Sequence, residues 1–132
     1  MIYYLDTNAI LDIMNNQPNI LETFKKVYMT DIIRIPDIAY YEVMRGFKYK
    51  DPKKQVGKFI KFAEHCGIVY QSQESLDIAS YNYASLLKQG NLIDDGDLLI
   101  GSLAIADNAI VVTNNTKHFS RLENIKLANW VQ

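Results

Sequence analysis

Ile2-Tyr3-Tyr4-Leu5-Asp6 is the stretch from which the rest of the chain is read. Its four apolar or aromatic residues run without alternation, the pattern of a strand covered on both faces in a parallel sheet, and a carboxylate ends it abruptly. The pattern returns near the other end as Ala109-Ile110-Val111-Val112-Thr113, the clearest strand in the sequence, followed by Asn114 and Asn115. Between them, Ile32 to Ile35 and Ile68-Val69-Tyr70 read as further strands, and Lys126 to Val131 as a last edge strand.

The intervening segments carry helical spacing. Thr7 is placed to cap a short helix with Ile10, Leu11 and Met14, which breaks at Asn15-Asn16-Gln17. Pro18 opens a second helix through Ile20, Leu21, Phe24 and Val27. Pro36 stops the second strand and Asp37 caps the segment Ile38 to Phe47; Asp51-Pro52 repeats that signal before a helix through Val56, Phe59, Ile60 and Ala63 that closes at Gly67. A longer helix presents Leu76, Ala79, Tyr83, Leu86 and Leu87 on one face and ends at Gly90, and another runs from about Asp95 to Asp107. Strands alternating with helices predict an α/β domain, with a central mainly parallel sheet between helical layers, and one domain over residues 1–132.

Composition bounds the function. At 132 residues and 48% hydrophobic, the chain can bury one core without disulfides or structural metal. Its single cysteine, Cys66, excludes an intrachain disulfide and reads as a small half-buried filler in a protein of a reducing compartment. The formal net charge of −1 excludes a globally basic coat, so any nucleic-acid contact is local. The N-terminus lacks a basic region and meets Asp6 too early for a signal peptide, and no apolar run spans a membrane; a cytoplasmic protein is expected.

Ligands of parallel sheets gather beyond the carboxyl ends of the strands, where Asp6 and Asn115 both fall. Alone, Asp6 reads equally as a helix cap. Two further carboxylates change the balance. Asp97 shares a helical face with Ile100, Gly101 and Ala104, the face that turns toward the sheet, and a carboxylate buried there without a partner costs several kcal/mol. Asp94 and Asp95 have a simpler reading as acids favoured at a helix N-terminus, with Asp95 retained as a supporting residue of the site. Glu42 sits in the largely apolar Ala39-Tyr40-Tyr41-Glu42-Val43-Met44-Arg45-Gly46, with Gly46 one turn further along leaving room for a backbone or ligand; the plainer alternative is a surface Glu paired with Arg45 or Lys48. If Asp6, Glu42 and Asp97 converge, each pair about 4 Å apart repels by roughly 4 kcal/mol at an effective dielectric of 20. A hard divalent cation relieves that repulsion, and an all-oxygen donor set suits Mg2+ or Mn2+. Phosphodiester hydrolysis is the natural use of such a site.

Four blocks in order, Tyr4-Leu5-Asp6-Thr7-Asn8, Tyr41-Glu42-Val43-Met44-Arg45-Gly46, Asp95-Gly96-Asp97-Leu98-Leu99-Ile100 and Val112-Thr113-Asn114-Asn115-Thr116-Lys117-His118-Phe119, together resemble the PIN-domain nucleases, and within them the VapC-type toxins of bacterial toxin–antitoxin pairs. The resemblance implies a three-layer α/β/α fold and a Mg2+- or Mn2+-dependent endoribonuclease that arrests translation when a VapB-like antitoxin is removed. It implies Asp6, Glu42 and Asp97 as metal-binding acids, and homodimers, for which the Phe47, Tyr49 and Phe59 region offers apolar candidates, although these residues read at least as well as core. Many PIN domains carry a fourth acid after the last long strand. Here that block reads Asn114-Asn115, so Asn115 would bind the metal through its amide oxygen or hold its water, and one firmly held ion is expected. Thr7, Asn8 and Thr113 are expected to orient the carboxylates.

Arg45, Lys48, Lys50, Lys53, Lys54, Lys58 and Lys61 face a single acid, Asp51, in the segment after Glu42. That is the footprint of an RNA contact beside a negative pocket, with Arg45, Lys48, Lys50, Lys53 and Lys54 as its candidates, although solvated lysine faces are common. Tyr40, Tyr41 and Tyr49 offer stacking surfaces or sheet packing; His65, His118 and Trp130 form no recognisable catalytic arrangement. A dehalogenase-like phosphotransferase would need a second acid two residues after Asp6, where Asn8 stands. The remaining alternative is a catalytically degenerate domain that only binds RNA or antitoxin.

Overall fold

The computed structural model describes residues 1–50 and 52–131, with residues 52 and 53 described in backbone only. The expected Asp51 cap and the Lys53 side chain lie outside the described residues. Among the described residues, five strands form one sheet in the order β3-β2-β1-β4-β5, every neighbouring pair parallel. They are β1 Ile2–Leu5, β2 Ile32–Pro36, β3 Ile68–Val69, β4 Ile110–Val112 and β5 Lys126–Ala128. Seven helices among the described residues flank them in a three-layer α/β/α arrangement: α1 Thr7–Met14, α2 Pro18–Thr30, α3 Asp37–Lys50, α4 Pro52–Cys66, α5 Gln73–Lys88, α6 Asp95–Ala106 and α7 Thr116–Phe119.

The N-terminal strand occupies the centre of the sheet. The chain builds outward from β1 to β2 and β3, then crosses to β4 and β5 on the other side, so its direction of travel reverses between β1 and β4. That reversal opens a crevice at the carboxyl ends of two adjacent strands. Leu5, Ile10, Ile35, Phe59, Ile100, Leu103, Val111 and Phe119 are fully buried around the sheet, and burying a side chain of this size contributes roughly 1.5–3 kcal/mol. Trp130 seals the end of the chain against Tyr3, ring centroids 5.3 Å apart.

Several boundaries differ from the sequence reading, each for a local reason. Asp6, not Thr7, caps α1: its side chain accepts from the Ala9 backbone N–H at 2.8 Å, and Thr7 is the first helical residue. Asp37 begins α3 and also ties down the chain after β3, accepting from the Gln71 N–H at 3.1 Å. Tyr70 leaves the sheet and is exposed. Phe59 is core, with Phe47 packed edge-on at 5.9 Å, so of the three apolar residues expected to be available for contact only Tyr49 stands out in solvent. The exposed apolar surface lies on α5 instead, where Leu76, Tyr83 and Leu87 form a stripe although Ala79 and Leu86 on the same helix are buried. Among the described residues, no helix is long and apolar enough to cross a membrane.

Candidate active site

Asp6 stands where β1 gives way to α1, its backbone N–H donating to the Val112 carbonyl at 3.1 Å, so the end of β4 is fixed beside it. The carboxylate is 3% exposed. Burial pushes its pKa up to about 6; hydrogen bonds from the Thr113 side chain and the Ala9 N–H pull the other way, while the charges of Asp97 and Asp12 raise it further. Asp6 is therefore both a helix cap and a buried acid under pressure from its neighbours. The two readings do not compete.

Asp97 enters from the first turn of α6. Its pKa is also raised, first by burial and then by the charges of Asp94 and Glu42, against the relief offered by His118 and by a hydrogen bond from Asn115. The Asn115 amide nitrogen donates to Asp97 Oδ2 at 3.3 Å and lies 3.0 Å from His118 Nδ1. The Asn115 backbone N–H in turn donates to the Thr113 hydroxyl oxygen at 2.8 Å. Thr113, buried after β4, thus links Asp6 to the residue that holds Asp97.

Glu42 arrives from α3. Thr7 donates to its Oε1 at 2.6 Å, and Arg45 approaches Oε2 at 3.8 Å. Its side chain is only 17% exposed, so the surface-pair reading holds for the Arg45 contact but not for the carboxylate as a whole. What makes room for it is Gly96: a Cβ there would sit 2.6 Å from Glu42 Oε2. A side chain at that position and the observed Glu42 carboxylate cannot share the space.

Of the three acids expected to converge, Asp97 feels the charge of Glu42, and its own charge raises Asp6. Among the described residues, no three His, Cys, Asp or Glu side chains already stand as a closed cation-ligating group. The donor chemistry fits a hard cation all the same: every acid offers oxygen alone, and two of the three carboxyls resist ionisation, first through burial and then through neighbouring acids. Thr7 hydrogen-bonds Glu42 and Thr113 hydrogen-bonds Asp6. Asn8 is exposed and makes no side-chain hydrogen bond to these acids among the described residues. Asp95 turns to the hollow between α5 and α6 lined by Leu76, Tyr83 and Leu99, whereas Asp94, left by the sequence reading as a cap, makes no cap hydrogen bond and acts on Asp97 and Arg45. Gly96, Asp94 and His118 are the residues sequence reasoning missed; only His118, three positions after Asn115, left a legible spacing.

Beside the acids, the Arg45 guanidinium lies 5.1 Å from the exposed Tyr41 ring, a cationic and aromatic pair facing solvent. Lys48, Lys50 and Lys54 are exposed, with no ion-pair partner among the described residues.

The PIN domain model matches residues 3–125. Ribonuclease VapC2 of Rickettsia felis is 36% identical, the match covering 98% of each chain. The solved VapBC2 complex of Rickettsia felis on a promoter DNA fragment contains a chain of TM-score 0.91 and 32% identity, with 98% of this chain and 99% of that one covered. VapBC-1 of nontypeable Haemophilus influenzae gives a TM-score of 0.90 at 28% identity with both chains fully covered.

Proposed function

Because this chain belongs to the PIN domain family, we propose that it is an endoribonuclease toxin of a VapBC-type toxin–antitoxin pair, hydrolysing RNA phosphodiester bonds with Mg2+ or Mn2+ held by Asp6, Glu42 and Asp97. The observation that carries this reading is the buried Asp6 at the β1/β4 crevice, pressed by the charge of the half-buried Asp97, which in turn feels Glu42. A bound divalent cation supplies an activated water and neutralises charge on the phosphodiester. The chain's own residues do the rest. Thr7 and Thr113 aim the Glu42 and Asp6 carboxylates, and Asn115 steadies Asp97 in place of a fourth acid, its amide turned as a donor toward that carboxylate. Arg45 is free to exchange its long contact with Glu42 for a phosphate oxygen, and Lys48, Lys50, Lys53 and Lys54 draw in the RNA backbone.

A VapB-like antitoxin is the expected protein partner, by likeness to the complexes above. A homodimer through the α5 stripe is the expected assembly, since Leu76, Tyr83 and Leu87 otherwise face water. Incubation of the purified protein with structured RNA and Mn2+ tests the enzymatic reading. Wild type is expected to cut, and Asp97→Asn to lose about a hundredfold or more, beyond what loss of a supporting residue costs. RNA left intact in both lanes would instead mark a domain that only binds.

A further inference from the structure

Gly46 has no structural reason to be glycine. It lies inside α3, its φ is not in the left-handed region, and a Cβ there would meet nothing within 4 Å. Glycine is the poorest ordinary helix former, so nothing inside the protein repays its presence. Its missing side chain leaves space outside the protein instead. That space is a hollow of about 240 Å³ where α1, α3 and α4 come together. Leu11, Val43 and Phe47 form an apolar floor, Asn15, Gln55 and Lys50 the rim, and the catalytic-site Glu42 one wall.

We propose that this hollow receives one unpaired base of the RNA next to the bond being cut. Its apolar floor suits the flat face of a base, and the two amides each carry a donor and an acceptor for its edge. The rim lysine belongs to the run of exposed basic residues on α3 and α4, so a nucleotide whose base enters the hollow has its phosphates among cations. Continuity with Glu42 places the base within a nucleotide's reach of the acids, which makes the hollow a determinant of where the RNA is cut. This inference deepens the nuclease reading and rests on it.

Binding in EDTA tests the hollow without any cleavage. Oligouridine, oligoadenosine and an abasic ribose-phosphate oligomer of equal charge are titrated against the wild type, Gly46→Ala and Gly46→Leu. A leucine at this position leans back over the turn that carries Glu42 and Val43, filling the hollow while favouring the helix. The wild type is expected to bind at least one base-bearing oligomer about tenfold more tightly than the abasic one. Gly46→Leu should bring that oligomer down to the abasic level, Gly46→Ala should retain most of the difference, and neither should melt below the wild type. Equal binding of all three oligomers by the wild type, or a base preference surviving in Gly46→Leu, overturns the proposal; the second result is also what a slot for a protein side chain would give. Failure of the wild type to cut RNA with Mn2+ would count against the nuclease reading alone, since binding is read separately.

Discussion

At Asp6 the folding of this chain and its chemistry pull against each other. The residue titrates near 6 in the fold against an ordinary value of 3.8, so its contribution to stability is fully present below 3.8 and is lost as the pH rises through about 6. At one pKa unit per 1.4 kcal/mol, the metal-free protein gives up roughly 3 kcal/mol across that window on account of this one group. Asp6→Asn keeps a good cap and an acceptor for Ala9. Its metal-free melting temperature should exceed that of the wild type at about pH 7.5 and converge with it near pH 4; parallel curves would mean that Asp6 is not strained. Asp97→Asn should likewise raise the metal-free melting temperature while abolishing stabilisation by Mn2+. Gly96→Ala separates geometry from stability: its Cβ displaces the Glu42 carboxylate, so cleavage should fall about tenfold, the scale of losing one orienting contact, with no fall in melting temperature. Asp6, Glu42 and Asp97 were legible in the sequence because each interrupts an apolar pattern. Gly96 and Asp94 were not, because their importance lies in what another segment brings against them.

At the scale of the elements, α6 explains much of the site. It touches β4, α3, α5 and α7, so it is buried on nearly every side, and its N-terminal turn delivers Asp97 to the crevice. An apolar helix of this kind shows a weak stripe in sequence, yet its bounds were legible from the acids that open it. The face of α5 was misread for the opposite reason: its spacing is amphipathic, but α6 covers only part of it, leaving Leu76, Tyr83 and Leu87 in water. Replacing Leu76 and Leu87 with lysine should therefore leave the monomer folded and shift a dimer to monomer in sedimentation; an unchanged mass would move the assembly surface elsewhere. Between α4 and β3, Gly67 takes φ +86° with the Arg34 side chain packed over it. Gly67→Ala should cost about 1 kcal/mol or more, read as a lower urea midpoint, because the backbone there suits glycine and Arg34 must give way.

For the whole molecule, the decisive feature is the position of the first strand in the middle of the sheet. Alternating strands and helices made the fold class readable, and their position after a strand put Asp6 and Asn115 on a shared edge. Strand order could not be read, since it depends on which buried ribbons pair across long separations. That order has a consequence for synthesis. Asp6 is made more than a hundred residues before the Val112 carbonyl its N–H donates to and the Thr113 hydroxyl its carboxylate accepts from, and Thr113 itself is pinned by the Ala128 carbonyl. Until β4 and β5 join the sheet, β1 therefore carries an aspartate whose surroundings are still water, and the burial that strains Asp6 arises only when the far half of the sheet closes.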